Sequence, residues 1–348
     1  MYTRAVSTFP LPPSLAGLVA PAERPVASPG KLAATIIDAH APSSQTTRPA
    51  HVAEVALVGL PDDTGVSLNN GRPGAREGPR AFRAALSRLG VAEPGWMDPS
   101  SGGAVGGTGA HPRAMPSIVD IGDVRPGATL NETHDRVTRV VEGVLDAGLF
   151  PVAIGGGHDL TFPFARAAAS RSRVRAGLYC DAHLDVRAEP GSGMAFRSLI
   201  EQCAIARLAI VGYQPLVNAR HHAEYFVSRG GRVTSPATNP GDAQRQIESL
   251  LSVGDSAFVS LDLDAIDAAH APGVSAMNPE GLSVATLGAY ALAAGRSTRV
   301  ACLDIMELNP SHDPDGRTAR VAAWLFLRFC EGFSQRGWRA GPADPATP

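Results

Sequence analysis

Three short segments carry residue types that could hold metal ions and activate water: Gly155-Gly156-Gly157-His158-Asp159, Asp181-Ala182-His183-Leu184-Asp185 and Leu261-Asp262-Leu263-Asp264. A fourth, Asp304-Ile305-Met306-Glu307-Leu308-Asn309-Pro310, adds two more acids. Each follows or ends an apolar run that reads as a buried strand, and in open parallel sheets ligands bind beyond the strands' carboxyl ends. Side chains at i, i+2 and i+4 of an extended segment point the same way. Asp181, His183 and Asp185 are therefore expected on one face, as are Asp262 and Asp264. Carboxylates so crowded would force one another to protonate. A divalent cation resolves that repulsion, and oxygen-rich ligands with imidazoles suit Mn²⁺ better than a thiolate-rich zinc site. His158, Asp181, His183, Asp185, Asp262 and Asp264 exceed what one ion needs. The expectation is two ions sharing carboxylates, with a hydroxide between them as nucleophile.

Taken singly, these features have plainer readings. An Asp-x-Asp at a strand end is commonly a cap or a loop hydrogen bonder, and a glycine triplet is usually a tight turn. A phosphate-cradling loop would need a Lys-Ser/Thr pair after the glycines, and none follows. Only the joint occurrence at successive strand ends points to a metal pair. The other eight of the 10 histidines, His221 and His222 included, lack such a context and read as surface or satisfied buried residues.

Eight apolar runs must position these residues: 54–59, 117–122, 150–155, 176–181, 208–212, 231–234, 257–262 and 300–304. Most are continuously apolar, as strands covered on both faces are. Helical patterns lie between several. Residues 133–147 carry Val137, Val140, Val141, Val144 and Leu145 on one stripe, with Gly148 as the stop. A second helix is expected from Pro79, and a third from Ser283 as N-cap to about Gly295. Strands alternating with helices predict an α/β fold with a mostly parallel sheet. Residues 1–48 lack either periodicity and are expected to form a flexible extension or loose strap; 49–340 form the catalytic domain, 341–348 a tail. Residues 93–115 read as a long surface loop.

Composition narrows the class. With 37 Gly and 29 Pro among 348 residues, a coiled coil or helical bundle is excluded, while 44% hydrophobic residues suffice for a large core. The 31 basic and 33 acidic residues leave a net charge of −2 and no basic run, which argues against nucleic acid. No apolar stretch approaches the ~18 residues of a membrane span, and prolines interrupt residues 11–22, so no signal peptide is read there. Cys180, Cys203, Cys302 and Cys330 lack CxxC spacing, which fits a reducing cytoplasm.

Together these segments resemble the ureohydrolase (arginase/agmatinase) superfamily over residues 52–332. The resemblance includes Gly59-Leu60-Pro61-Asp62-Asp63, Asn70-Gly71-Arg72-Pro73-Gly74-Ala75, Gly78-Pro79 and Asp120-Ile121-Gly122-Asp123 ahead of the metal segments. It implies a three-layer αβα fold with an eight-stranded, mostly parallel sheet and a binuclear Mn²⁺ centre. By the family pattern His158, Asp181, Asp185 and Asp262 hold one ion, and His183, Asp181, Asp262 and Asp264 the other, with Asp181 and Asp262 bridging. Arginase- and agmatinase-like members carry a proton-shuttling His shortly after this segment; here Ser192 stands in that place.

The chain is most similar to the formimidoylglutamase branch. It shares GGGH followed by an acid, DAHLD with Arg187 two residues on, Ala271-Pro272-Gly273-Val274-Ser275-Ala276, and Glu307-Leu308-Asn309-Pro310. It departs from that branch in reading Ser-Gly-Met-Ala-Phe over 192–196 where SGTPF is common. The implied reaction is hydrolysis of N-formimidoyl-L-glutamate, in histidine degradation, to glutamate and formamide. Glu307 would orient the planar amidine, and Asp264 or the hydroxide would relay the proton to the leaving amine. Arg187 and Ser192 would line the substrate site. Arg187 can hold a carboxylate, which this substrate has and cationic agmatine lacks, though it could equally neutralise surplus acid at the centre. Arg197 is a second candidate. The alternative is an agmatinase- or guanidinobutyrase-type amidinohydrolase releasing urea; a catalytically silent binding protein is the third reading. Relatives imply a small-molecule substrate and a homo-oligomer, trimer or hexamer.

Overall fold

Strands buried on both faces and joined by helical crossovers leave parallel pairing as the available geometry. The computed structural model describes residues 11–28, 31–41, 53–90, 115–205 and 207–336. Ten strands follow in chain order: β1 (Val19–Ala20), β2 (Ile37–Asp38), β3 (Val55–Leu60), β4 (Ile118–Val124), β5 (Phe150–Gly155), β6 (Val174–Cys180), β7 (Arg207–Val211), β8 (Arg232–Thr234), β9 (Ser256–Asp262) and β10 (Val300–Met306). They form one sheet ordered β1-β4-β3-β5-β10-β9-β6-β7-β8, with β2 also paired to β4. Among the strand pairs of the described residues, only β1/β4 is antiparallel. The eight expected runs are β3 to β10, each end within two residues of expectation.

Nine helices among the described residues flank the sheet: α1 (Thr64–Leu68), α2 (Gly78–Leu86), α3 (Leu130–Asp146), α4 (Thr161–Arg171), α5 (Ala195–Cys203), α6 (Arg220–Ser228), α7 (Pro240–Ser249), α8 (Val284–Arg296) and α9 (Arg317–Phe333). One face is covered by α2, α7, α8 and α9, the other by α3 to α6, giving three layers. Alternation along a strand feeds both cores: on β10, Leu303 and Ile305 join the first, Cys302 and Met306 the second. The helix expected from residue 133 begins at Leu130 because the Thr129 hydroxyl caps it, accepting from Glu132 N at 3.2 Å. Gly148 stops it at φ +74°. Ser283 caps α8 as expected, accepting from Thr286 N at 3.1 Å.

The sequence differs from the structure at the N-terminus. Where no periodicity predicts a strand, β1 and β2 both lie along β4, covering an edge that would otherwise offer unpaired backbone groups. Two-residue strands are too short to show a period. Leu15, 1% exposed, packs against Gly143 of α3, and Arg24 pairs with Asp38 at 2.5 Å. Residues 91–114, which hold most of the expected surface loop, and the expected tail lie outside the described residues. No helix among the described residues is long and apolar enough to cross a membrane.

The Asp120-Ile121-Gly122-Asp123 segment anchors α2. Arg83 meets Asp120 through two parallel 2.9 Å hydrogen bonds and Asp123 through one of 2.7 Å, with Arg83 and Asp120 both buried. A buried ion pair that loses one member leaves an uncompensated charge. Arg83→Met is expected to cost about 3–5 kcal/mol in urea unfolding. Arg83→Met with Asp120→Asn should recover part of the loss; additive losses would show that the pair is not coupled.

Candidate metal centre

Four adjacent central strands, β5, β10, β9 and β6, deliver the four segments at their carboxyl ends. In β6/β9 register Cys180 lies beside Leu261, so the next residues, Asp181 and Asp262, emerge side by side. His158 follows β5 in the short helical turn His158–Leu160 that leads into α4. Its Nδ1 lies 3.0 Å from Asp181 Oδ2, 3.1 Å from Asp185 Oδ2 and 2.9 Å from Asp262 Oδ2. His183 Nδ1 lies 3.1 Å from Asp264 Oδ2 and 3.4 Å from Asp181 Oδ1. Two groups of converging ligand atoms result, His158/Asp181/Asp262 and Asp181/His183/Asp264, and they share Asp181. All six expected residues are thus brought together, Asp185 through its approach to His158.

The local geometry differs from the extended alternation that the spacing suggests. After β6 and after β9 the chain bends, and the first carboxylate accepts the amide two residues on. His183 N donates to Asp181 Oδ1 at 2.6 Å, and Asp264 N to Asp262 Oδ1 at 2.7 Å. This local bond turns the chain at each strand end and leaves the other carboxylate oxygen facing the centre. Asp185 and Glu307 both sit in the left-handed region, at φ +47° and +65°. Non-glycine residues there are strained, and such strain gathers where geometry is functional.

The glycine triplet does more than turn. A Cβ on Gly156 would fall 1.8 Å from Asp62 O, and one on Gly155 2.0 Å from Met306 Sδ. At Gly156 close backbone approach therefore excludes any side chain, and the same residue seats Glu307, whose N donates to Gly156 O at 2.9 Å. Glu307 Oε1 in turn accepts from His158 N at 2.9 Å.

The electrostatics of the cluster suit a bound cation. Burial, reinforced by the charges on Asp185 and Asp264, pushes Asp181 up to about 6. Burial and Asp264 raise Asp262 well above the carboxylate range. Burial pushes Glu307 up to about 7. Desolvation opposes charge on His158, but the surrounding carboxylates outweigh it and hold the imidazole's pKa well above its usual value. His158 Nδ1, Asp181 Oδ2 and Asp264 Oδ1 are buried without a hydrogen bond. Buried polar atoms of this kind need a partner. Four aspartates and two neutral imidazoles carry −4, which two divalent ions cancel, and the donor set suits Mn²⁺.

Asp304 departs from expectation. It does not join the cluster but lies behind it, accepting from Ser260 Oγ at 2.5 Å; Ser260 in turn meets His158 Nε2 at 3.0 Å. Register explains this: Asp304 pairs with Ser260, two residues before Asp262, so on the same sheet face it lies one side-chain step below the strand ends that carry the cluster. Ser260 was legible only as the residue two before Asp262 on the same face. Ser192 Oγ accepts from Asn69 Nδ2 at 3.0 Å. Arg187 is exposed and lies across Gly193, where a Cβ would come 2.9 Å from its Cδ. Arg197 is engaged elsewhere, with Glu201 at 3.0 Å and over the Tyr225 ring.

A family model described as the arginase family matches residues 53–331. The chain belongs to the arginase family. Within that family it is 34% identical over 305 residues to the formimidoylglutamase of Ralstonia nicotianae, an alignment covering 81% of this chain and 86% of that one. The Mn²⁺-bound formiminoglutamase of Trypanosoma cruzi superposes with TM-score 0.70 at 29% identity, covering 83% of this chain and 96% of that one. The proclavaminate amidino hydrolase of Streptomyces clavuligerus superposes with TM-score 0.67 at 26% identity, over 82% and 92%. Arginase-family architecture accounts for the three layers and for the placement of these six acidic and imidazole residues at the carboxyl ends of central strands.

Proposed function

We propose that this chain hydrolyses N-formimidoyl-L-glutamate to L-glutamate and formamide at a pair of Mn²⁺ ions, a step of histidine degradation. The names of its relatives support the reaction. The observation that carries the substrate choice is Arg187: it stands two residues beyond Asp185, is exposed, and makes no ion pair with another described residue. A free guanidinium beside an acidic centre suits a substrate carboxylate and repels a cationic agmatine tail.

His158, Asp181, Asp185 and Asp262 would hold one ion, and His183, Asp181, Asp262 and Asp264 the other. Bound there, the pair supplies a water nucleophile at neutral pH and polarises the amidine. Glu307 keeps one oxygen on His158 N and offers the other, Oε2, to the N–C–N group. Water adds to the amidine carbon, the carbon–nitrogen bond to glutamate breaks, and the departing amine takes a proton. Asp264, whose Oδ1 is without a hydrogen bond, relays that proton. Ser192 lines the substrate site, its hydroxyl proton left free because Asn69 occupies an acceptor lone pair. The same proposal includes a cytoplasmic trimer or hexamer; the four described cysteines, all free, suit a reducing compartment.

The test is a panel of formimidoylglutamate, agmatine and guanidinobutyrate with Mn²⁺, scored for formamide against urea. Formamide is expected; urea would move the chain to the amidinohydrolases. Arg187→Ala is expected to raise the KM for formimidoylglutamate about 10- to 100-fold, the loss of a charge-assisted hydrogen bond, with kcat within a few-fold. An unchanged KM removes the clamp.

A further inference from the structure

The ring nitrogen of His158 that faces away from the metal centre enters a buried chain of hydrogen bonds that the reaction itself does not use. His158 Nε2 meets Ser260 Oγ at 3.0 Å, and Ser260 Oγ meets Asp304 Oδ1 at 2.5 Å. Thr161 Oγ1, at the first residue of α4, stands 3.4 Å from the same Ser260 oxygen. Asp304, Ser260 and Thr161 are 0% exposed and His158 1%, so no solvent competes for these bonds. Register places the chain: Asp304 and Ser260 are direct neighbours in the β10/β9 ladder, and Ser260 shares its strand face with Asp262 two residues on.

Chemistry fixes the direction in which protons point. An ionised carboxylate only accepts, so Ser260 gives its single proton to Asp304. The serine oxygen then faces His158 Nε2 with a lone pair, and Nε2 must carry a hydrogen. The neutral imidazole that remains has its lone pair on Nδ1, which lies 2.9–3.1 Å from three carboxylate oxygens. Facing three acceptors, Nδ1 holds either a proton or a cation, and with the Nε2–H fixed a cation that displaces the proton meets the ring's lone pair.

We infer that Ser260 and Asp304 are positioning residues that lock His158 in the Nε2–H tautomer and so present Nδ1 as a metal ligand. Partners of this kind, on the far side of a ligating imidazole, set ring orientation and basicity, and losing them typically weakens metal binding 10- to 100-fold. The inference rests on the metal centre proposed above. It adds that the affinity of the site is set in part by two residues that touch neither ion nor substrate.

The test is a Mn²⁺ titration by calorimetry on the full chain, stripped of metal, for the parent, Ser260→Ala and Asp304→Asn. Cys302→Ala serves as control: it is buried on the same face of β10 but takes no part in the chain. The expected result is a Mn²⁺ dissociation constant raised about tenfold or more by Ser260→Ala and Asp304→Asn, and unchanged by Cys302→Ala even where its melting temperature falls. Should Ser260→Ala fail to fold, the isosteric Asp304→Asn carries the same expectation. A smaller change, or equal weakening by the control, overturns the inference. A parent chain that binds no Mn²⁺ would instead sink the metal centre itself, so the two failures are distinguishable.

Discussion

Asp181→Asn is expected to lower kcat/KM at least about 10³-fold, because it removes the carboxylate shared by both ligand groups. Metal assistance supplies several kcal/mol to such reactions, and each 1.4 kcal/mol is a factor of about ten in rate. Direct measurement of bound Mn²⁺ should fall with activity. Stability of the metal-free protein should move the other way. Burial, then Asp185 and Asp264, hold the Asp181 carboxyl at about 6 in the folded chain, above the unfolded value of about 3.9. A carboxyl raised on folding favours the fold while protonated; that contribution is complete below the unfolded pKa and is lost as pH rises through the folded one. In chelator at about pH 8 the parent therefore carries a destabilising charge that Asp181→Asn lacks, and the variant should melt higher. A lower melting point would mean that the carboxylate supports the fold even without metal, and full activity would remove the metal mechanism.

Glu307→Gln should lower kcat by about 10²–10³ while leaving Mn²⁺ affinity and the melting temperature close to the parent's. Glutamine fills the same volume and its carbonyl can still accept from His158 N, so the strained turn at φ +65° should persist. What it cannot supply is a negative charge against the planar cationic amidine as charge develops there. The separation from Asp181→Asn is the informative part: one variant loses metal and rate together, the other rate alone. Equal loss of Mn²⁺ in Glu307→Gln would make Glu307 part of the metal shell rather than a substrate residue.

Much of this arrangement was legible in the sequence, and the reasons for the rest are physical. Continuous apolar runs such as Val55–Leu60, buried at every position, announce strands covered on both sides. The cluster of acids and imidazoles was readable because acids seldom follow such runs without purpose. Three things were hidden. The strands Val19–Ala20 and Ile37–Asp38 are set by their pairing with β4, a tertiary fact with no local pattern. The bends after Asp181 and Asp262 depend on a side chain capturing a backbone amide, which spacing alone cannot distinguish from an extended chain. The role of Asp304 required knowing that β10 lies beside β9, since its partner Ser260 is 44 residues away.

The strand order has a consequence for how the protein is made. β10 is the last strand among the described residues, yet it sits in the middle of the sheet, between β5 and β9. Before it arrives, the sheet has two separate parts, one built around β3 to β5 and the other around β6 to β9. His158 belongs to the first and the four aspartates to the second, so a chain still on the ribosome holds the proposed ligands on unjoined pieces. Pairings this distant in sequence form slowly, and the halves expose open strand edges while they wait. Release of the C-terminal segment is then the event that joins them, and a truncated chain ending before Val300 should remain divided and prone to aggregate, with Mn²⁺ unable to rescue it.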